Sequence, residues 1–282
     1  MSGLTGNGTM SDSSPLLPLG DGAFRAAQFA NRPGRMNFSC LLGEPMTTLG
    51  IANRNMLYSL SWYMSARKTA LRAALSFRTP LSVTDQTDLR VHYSSYFLNL
   101  LAATELFRET TTLQPNNFEA ELYSHMVFDG YKDGPGNYSY IRELRNAVVH
   151  RGLDITSGAH IDGNFPMILA VPEVQNQSGK KKFFAFGNYL LEIIAKCESV
   201  IGRVMLDYLN DAGIFETTID AEADVAEFRK ESEQSHVIPK AFKAMAWVME
   251  VKPEWVTTAH KSEMTKLREA LQPCNASKPS AA

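Results

Sequence analysis

The sequence has 282 residues, of which 44% are hydrophobic and 21% charged, and its formal net charge is −2. These values are typical of a globular protein that is large enough to bury a substantial core. The small negative charge excludes a protein held on nucleic acid by a general basic surface. Any contact with nucleic acid must therefore be local, or shared between copies of the chain.

The cysteines indicate neither a disulfide framework nor a zinc site. Cys40, Cys197 and Cys274 are far apart, odd in number and in no Cys-x-x-Cys pair. Reduced thiols favour a cytoplasmic location. We expect no membrane partner, because the sequence has no run of 18 apolar residues and no basic stretch followed by an apolar run at its start. The nucleotide-binding glycine motifs and His-Glu-x-x-His are also absent, so we expect neither a cofactor nor a metal.

The first half of the chain predicts a flexible segment followed by helices. Residues 1–45 are rich in Gly, Ser, Pro and Asn, which is typical of a flexible terminus. Apolar residues then recur at helical spacing. They predict helices from about Thr47 to Phe77, from Asp85 to Phe107 and from Asn116 to Phe128. Pro80 is a stop signal after the first helix, and Asp85 and Asp88 stand at the start of the second.

The second half predicts a small β-hairpin and further helices. Apolar runs at 167–174 and 181–186 flank the polar stretch 175–180, which predicts a hairpin at about 167–186. The periodicity then predicts helices at Asn188–Asn210, Ile219–Gln234, Pro239–Val251 and Glu254–Leu271. We expect Trp247 and Trp255 to lie in the core or against a partner helix.

The predicted fold is therefore mainly α, a helical bundle with a small β-hairpin insertion and additional C-terminal helices. The bundle spans 46–213, with a boundary near Gly213. A C-terminal helical extension spans 214–272, and residues 273–282 predict a disordered tail.

One short helix, from about Tyr138 to Arg151, carries an unusual set of polar side chains. It follows the Gly- and Pro-rich loop 129–137, and Gly152 ends it. At 100° per residue, four apolar residues form a stripe that faces the core. These are Ile141, Leu144, Ala147 and Val148. Arg142, Asn146 and His150 are spaced i, i+4, i+8 and form a polar ridge on the other side, flanked by Arg145 and Val149.

The groups on this ridge suit metal-free cleavage of an RNA phosphodiester. His150 can act as a general acid or base, since the ordinary pKa of histidine is about 6.5. An arginine can hold the phosphate and stabilise the charge of the transition state, and Asn146 can orient either partner. The 2′-hydroxyl of RNA supplies the nucleophile. Acid–base catalysis at both ends of the reaction would need a second histidine, and one helix has only one. A second copy of the helix in a symmetric dimer is its simplest source.

The segment Arg145-Asn146-x3-His150 resembles the Arg-x4-6-His motif of HEPN domains, in which a polar residue commonly follows the Arg. The resemblance covers the helical region from about 47 to 211 and is specific only in these six residues. It implies a metal-independent endoribonuclease with Arg145, Asn146 and His150 as catalytic residues and with two motifs paired across a homodimer. It also implies a toxin or anti-phage defence effector with an antitoxin or effector partner protein.

Other interpretations of the motif stay open. A helix dipole favours Arg and His near its C-terminal end, and Arg142 can pair with Glu143 or Glu121 as ordinary surface charge. Some HEPN-like domains lack activity, so the alternative function is a non-catalytic dimerisation or interaction module. Glu105 on the second helix is a candidate to orient Arg145, with surface solvation as its alternative.

The only basic run is Lys180-Lys181-Lys182 in the predicted hairpin. We expect Arg142, Lys181 and Lys182 to contact the RNA substrate, because lysines bind the phosphate backbone. The alternative is that these lysines only keep the edge of the hairpin soluble. His92 and His125 lie on predicted helices, where a structural role competes with an approach to the site.

Overall fold

The structure, a computed structural model, describes residues 48–109, 115–241, 243 and 252–276. In chain order its elements are α1 (Ile51–Ser76), α2 (Val83–Glu109), α3 (Pro115–His125), α4 (Gly134–Arg151), β1 (Ala159–Asp162), β2 (Phe165–Ile168), β3 (Glu173–Gln175), β4 (Lys182–Phe184), α5 (Leu190–Asp211), a 3₁₀ turn (Ile214–Glu216), α6 (Ala221–Gln234) and α7 (Pro253–Leu271). The predicted segment 1–45, the end of the tail from 277 and most of the predicted helix Pro239–Val251 lie outside the described residues.

The predicted architecture, mainly helical with a small hairpin insertion, is confirmed. β3 pairs with β4 in antiparallel register, with Glu173 opposite Phe184 and Gln175 opposite Lys182. A second hairpin, β1–β2, was not predicted. All four residues of β1 are exposed, so this strand has no alternation of apolar and polar residues that would mark it in the sequence.

The helix that carries the motif begins earlier than predicted, at Gly134. The side chain of Asp133 caps it by accepting a hydrogen bond of 2.9 Å from the backbone N–H of Gly136. Pro135 fits the first turn, where its missing N–H costs nothing. Gly134 is required because a Cβ at this position would overlap the carbonyl oxygen of Tyr123. The last four residues of the predicted loop, 134–137, therefore start the helix.

The core lies between α1, α2, α5 and α7, with α3 packed against α2 and α5, and with α4 packed against α2, α3 and the β3–β4 hairpin. Its largest apolar side chains are fully buried: Tyr93, Tyr96, Tyr138, Tyr140, Phe97, Phe107, Phe118, Phe165, Phe186, Leu57 and Leu60. Leu267 and Leu271 of α7 are also fully buried in this cluster. The predicted boundary near Gly213 falls at the 3₁₀ turn; after it, α7 packs on the same core and α6 packs against α7.

Of the two tryptophans considered from the sequence, the structure describes one. Trp255 is 55% exposed at the start of α7, which excludes the core position and leaves contact with a partner helix as the remaining prediction. Trp247 lies outside the described residues. Within the described ranges, no helix is both long enough and apolar enough to span a membrane.

A buried ion pair joins α1 to α5 and to the end of α7. Arg67 and Glu198 expose 0% and 3% of their side chains, and Arg67 Nη1 lies 3.3 Å from Glu198 Oε1. Arg67 Nη2 donates to the carbonyl oxygens of Ala270 and Gln272 at 3.2 and 3.3 Å. The Glu198 carboxylate also accepts hydrogen bonds from the Tyr96 hydroxyl at 2.8 Å and from the Cys274 N–H at 2.6 Å. These bonds hold the residues that follow α7 against the centre of the bundle.

His260 on α7 is a buried histidine that is expected to make the stability of the fold depend on pH. Only 4% of this residue is exposed, and its Nδ1 lies 3.2 Å from the hydroxyl of Tyr58. Burial lowers the pKa of His260 below its usual value, the Arg54 guanidinium lowers it further, and Asp224, which pairs with Arg54, opposes the shift. In the folded protein the imidazole therefore resists protonation.

We expect the stability to fall as the pH drops below about 6.5, where the imidazole of the unfolded chain takes up a proton that the folded chain does not. Above this pH the His260 imidazole is neutral in both the folded and the unfolded chain, and its contribution to the free energy of unfolding is fully present. Urea unfolding between pH 7.5 and 5.5 measures the effect. His260→Gln should flatten the dependence, whereas His236→Gln at an exposed position should leave it unchanged. An equal slope in the wild type and His260→Gln would contradict this assignment.

Candidate functional site

The helix α4 is held in place by its apolar face, as predicted. Ile141, Leu144 and Ala147 are buried, and Val148 is half-buried against the core. The buried Tyr140 adds a hydrogen bond of 2.6 Å from its hydroxyl to the carbonyl oxygen of Val171, before β3. Gly152 ends the helix in the left-handed conformation, with φ of 68°. The orientation of α4 is thus fixed towards both the bundle and the hairpin.

The polar ridge lies at the surface. Arg142 and Asn146 are partly exposed, and His150 is exposed in the last turn of α4. No described residue hydrogen-bonds or ion-pairs with the imidazole of His150. Next to it, the apolar side chain of Val149 is 48% exposed. The ridge therefore presents an amide, a guanidinium and a free imidazole to solvent.

Arg145 faces away from this ridge. Its guanidinium forms an ion pair with the carboxylate of Glu105 on α2, the partner that the sequence suggested. Five residues at 100° each separate Arg145 from His150 by about 140° around the helix axis. Helical phase therefore directs these two groups of one chain to different sides of α4.

Glu143 is a buried acid that the sequence analysis did not identify as part of the site. It is only 6% exposed, and its carboxylate has two distant partners on its own helix. Arg142 Nη2 lies 3.6 Å from Oε1, and Asn146 Nδ2 donates to Oε2 at 3.4 Å. Of the two partners considered for Arg142, the structure gives Glu143. Because both contacts are long, the carboxylate keeps most of its capacity to accept hydrogen bonds.

An open pocket of about 450 Å³ lies between α4 and the turn that joins β3 to β4. Glu143 and Asn146 line it on the helix side, and Asn176, Gln177 and Ser178 line it on the turn side. One predicted catalytic residue, Asn146, thus belongs both to the motif and to the pocket wall.

Local hydrogen bonds shape the turn that lines one side of this pocket. The Asn176 side chain accepts from the Lys181 N–H at 3.1 Å and from the Ser178 hydroxyl at 3.2 Å. Gly179 has φ of 70°, a conformation that favours glycine. Residues 176–181 therefore form an ordered loop with defined contacts.

Arg151 connects the turn to the motif helix. Its Nη1 donates to the carbonyl oxygen of Gln175 at 2.7 Å, and its Nη2 donates to that of Glu143 at 3.3 Å. One guanidinium thus joins the two walls of the pocket near their bases. From the sequence, Arg151 was expected only at the end of the helix, with no role in the site.

The predicted substrate lysines differ in their surroundings. Lys182 forms a cross-strand ion pair of 2.9 Å with Glu173, whose pKa is lowered by the hydrogen bond from Lys182 and by a second from Gln175. Lys180 and Lys181 are exposed, and no carboxylate in the described ranges pairs with either ammonium group. Lys181 is thus available for an anionic ligand, whereas Lys182 already has a partner.

The remaining histidines considered from the sequence lie elsewhere. The His92 ring lies against Phe77, and His125 Nδ1 is 3.3 Å from Arg203 Nη2. A further histidine, His160 of β1, packs beside Tyr189. No group of three or more His, Cys, Asp or Glu side chains in the described part of the chain is placed to hold a metal ion.

No family model matches this sequence, and it has no significant match among curated proteins or solved structures.

Proposed function

We propose that the protein is a metal-independent endoribonuclease of HEPN type. One observation carries this proposal: the imidazole of His150 is exposed, without a partner among the described residues, on the same ridge as Arg142 and Asn146. The open pocket beside the ridge provides room for a substrate. An accessible imidazole with an adjacent amide and guanidinium is the set of groups that phosphodiester transfer without a metal requires.

In the proposed reaction the RNA supplies its own nucleophile. An imidazole accepts the proton of the 2′-hydroxyl, and the 2′-oxygen forms a bond to phosphorus. The bond from phosphorus to the 5′-oxygen breaks, that oxygen takes up a proton from water, and the imidazolium returns its proton to solvent. The products are a 2′,3′-cyclic phosphate and a free 5′-hydroxyl. Arg145 stabilises the charge on the phosphate, and Asn146 orients the reacting groups.

A second copy of the chain completes the proposed site. Arg145 and His150 lie about 140° apart on one helix, so the proposed site takes the Arg145 guanidinium and the His150 imidazole that act on one phosphate from two copies. A two-fold homodimer places both motifs at one interface. From the resemblance to HEPN domains we also propose RNA as the partner and a role as a toxin or defence effector, with an antitoxin or effector protein that restrains it.

Two observations favour a second candidate, a non-catalytic dimerisation module. The charge of Arg145 is already matched by Glu105, and the exposed Val149 offers an apolar contact next to the ridge. In that case the ridge is an interface rather than a reaction centre.

Cleavage of RNA by the full chain in EDTA separates the two candidates. We expect single-stranded RNA to be cut to fragments ending in a 2′,3′-cyclic phosphate, identified by mass spectrometry. His150→Ala should slow this reaction by about 10²–10⁴-fold, the usual contribution of a general acid or base. His236→Ala, at an exposed position away from α4, should cut like the wild type. A wild type that dimerises without cutting RNA would support the non-catalytic dimerisation module. Unchanged cutting by His150→Ala would show that His150 takes no part in the reaction.

A further inference from the structure

The pocket between α4 and the β3–β4 turn has the chemistry of a nucleobase site. We propose that it binds an unpaired guanine of the RNA, so that the turn at 176–178 and the carboxylate of Glu143 set the base specificity of the enzyme. This inference rests on the proposed ribonuclease function. It assigns a role to residues outside the Arg-x4-His motif.

Glu143 is the recognition group in this proposal. Its carboxylate is buried and faces a pocket, and it has only the long contacts of 3.6 and 3.4 Å to Arg142 and Asn146. A buried carboxylate gains strongly from short hydrogen bonds, because a charged acceptor removed from water is costly when its lone pairs are not used. A ligand with two adjacent N–H donors would supply such bonds.

Guanine is the base that fits a carboxylate best. Its Watson–Crick edge presents the N1–H and the N2 amino group side by side, which two carboxylate oxygens can accept in parallel. Adenine and cytosine each have one amino group next to a ring acceptor, and uracil has one N–H between two carbonyl oxygens. These acceptors would repel the second oxygen of Glu143. The O6 of guanine would accept from a side-chain amide, and the pocket wall carries three, on Asn146, Asn176 and Gln177.

The pocket and the turn that lines it are suited to hold a base. The pocket volume of about 450 Å³ accommodates a nucleobase with part of its sugar. The hydrogen bonds of Asn176 and the link through Arg151 fix the turn before any ligand arrives, which lowers the entropy cost of binding. Gln177 is exposed, and its side-chain amide hydrogen-bonds to no described residue, so it is free to bind a ligand.

The position of the pocket suits a substrate that also reaches the reaction centre. Seven residues separate Glu143 from His150, which places the two side chains within about 20° of each other around the axis and about 10 Å apart along it. This separation is comparable with the distance from the base edge to the phosphate within one nucleotide. A guanine in the pocket would therefore bring its own phosphate to His150. The exposed Lys180 and Lys181 lie on the same turn and can bind the neighbouring phosphates.

Binding of RNA that cannot be cleaved tests this proposal independently of catalysis. The probes are two pentanucleotides with 2′-O-methyl groups throughout, UUGUU and UUUUU, titrated into the full chain. We expect the guanine-containing probe to bind about tenfold more tightly, in the range for one bidentate base contact. Glu143→Gln, a change of one atom, should remove this preference. Glu254→Gln at the exposed start of α7 should keep it.

Gln177→Ala provides a second variant with little effect on folding, because this residue is exposed in the turn. We expect it to weaken binding of UUGUU more than that of UUUUU, which keeps the test valid if Glu143→Gln does not fold. Equal affinity for both probes, a preference for another base, or no binding at all would overturn the guanine site, even where the chain cuts RNA. Guanine-selective binding by a wild type that does not cut RNA would reject the proposed function and leave the base site in place.

Discussion

Replacing Glu198 with alanine is expected to lower the free energy of unfolding by about 3–5 kcal/mol, the usual loss when one member of a buried ion pair is removed. Glu198 is the only carboxylate that pairs with Arg67 among the described residues, and the Arg67 side chain is fully buried. Arg67 already has a buried Nε without a hydrogen bond. Without Glu198, the structure must bury an unpaired positive charge or admit water.

Urea unfolding of the wild type and variants at neutral pH measures this loss. Arg72→Met, at an exposed position on α1, should change the stability by less than about 0.5 kcal/mol. In the double variant Arg67→Met/Glu198→Ala, the loss should be smaller than the sum of the two single losses, because no charge remains unpaired. Additive losses, or a loss below about 1 kcal/mol for Glu198→Ala, would show that the ion pair is not a stabilising centre of the fold.

The helices could be predicted because their apolar residues recur at the helical period, and most of their ends carry local signals. Asp85, predicted at the start of α2, accepts hydrogen bonds from the N–H and hydroxyl of Ser82 at 2.8 and 2.7 Å. Gly152 ends α4 as expected. The burial of Arg67 could not be predicted, because it depends on α5 and α7, which lie more than 100 residues further along the chain. An isolated arginine in a helical pattern normally predicts a surface position.

The candidate site was predictable in part. The ridge of Arg142, Asn146 and His150 follows from helical phase alone, and its partial exposure agrees with the pattern. The same phase places Glu143 about 40° from Ala147 and about 20° from the exposed His150, at the edge of the buried arc, so helical phase alone could not show that this acid is buried. The turn at 176–178 could not be placed beside α4, since that contact depends on how the hairpin packs on the helix.

The two flanks of α4 therefore have different partners. On one flank, the ion pair with Glu105 on α2 holds Arg145 in a fixed direction. On the other flank, Glu143 and Asn146 face the pocket beside the hairpin, and His150 follows two turns later. Arg145 and His150 lie about 140° apart around the axis of this helix, and Glu105 holds Arg145 on its own flank. The proposed composite site therefore takes its guanidinium from the α4 of a second copy.

Mixing two inactive variants is expected to restore RNA cleavage. Arg145→Ala and His150→Ala should each be nearly inactive alone. In a mixed dimer, the intact Arg145 of one copy can meet the intact His150 of the other, so one of two composite sites is complete. With random exchange, half of the dimers are mixed, and the recovered rate should approach about a quarter of the wild-type rate.

The measurement is the cleavage rate of single-stranded RNA in EDTA after the variants are denatured together and refolded. The control is the double variant Arg145→Ala/His150→Ala mixed with His150→Ala, which contains no complete pair and should stay inactive. Recovery in the first mixture alone would place the two groups on one phosphate across a two-fold interface. Active wild type with no recovery would contradict the composite site, since each chain would then have to cut RNA with its own motif.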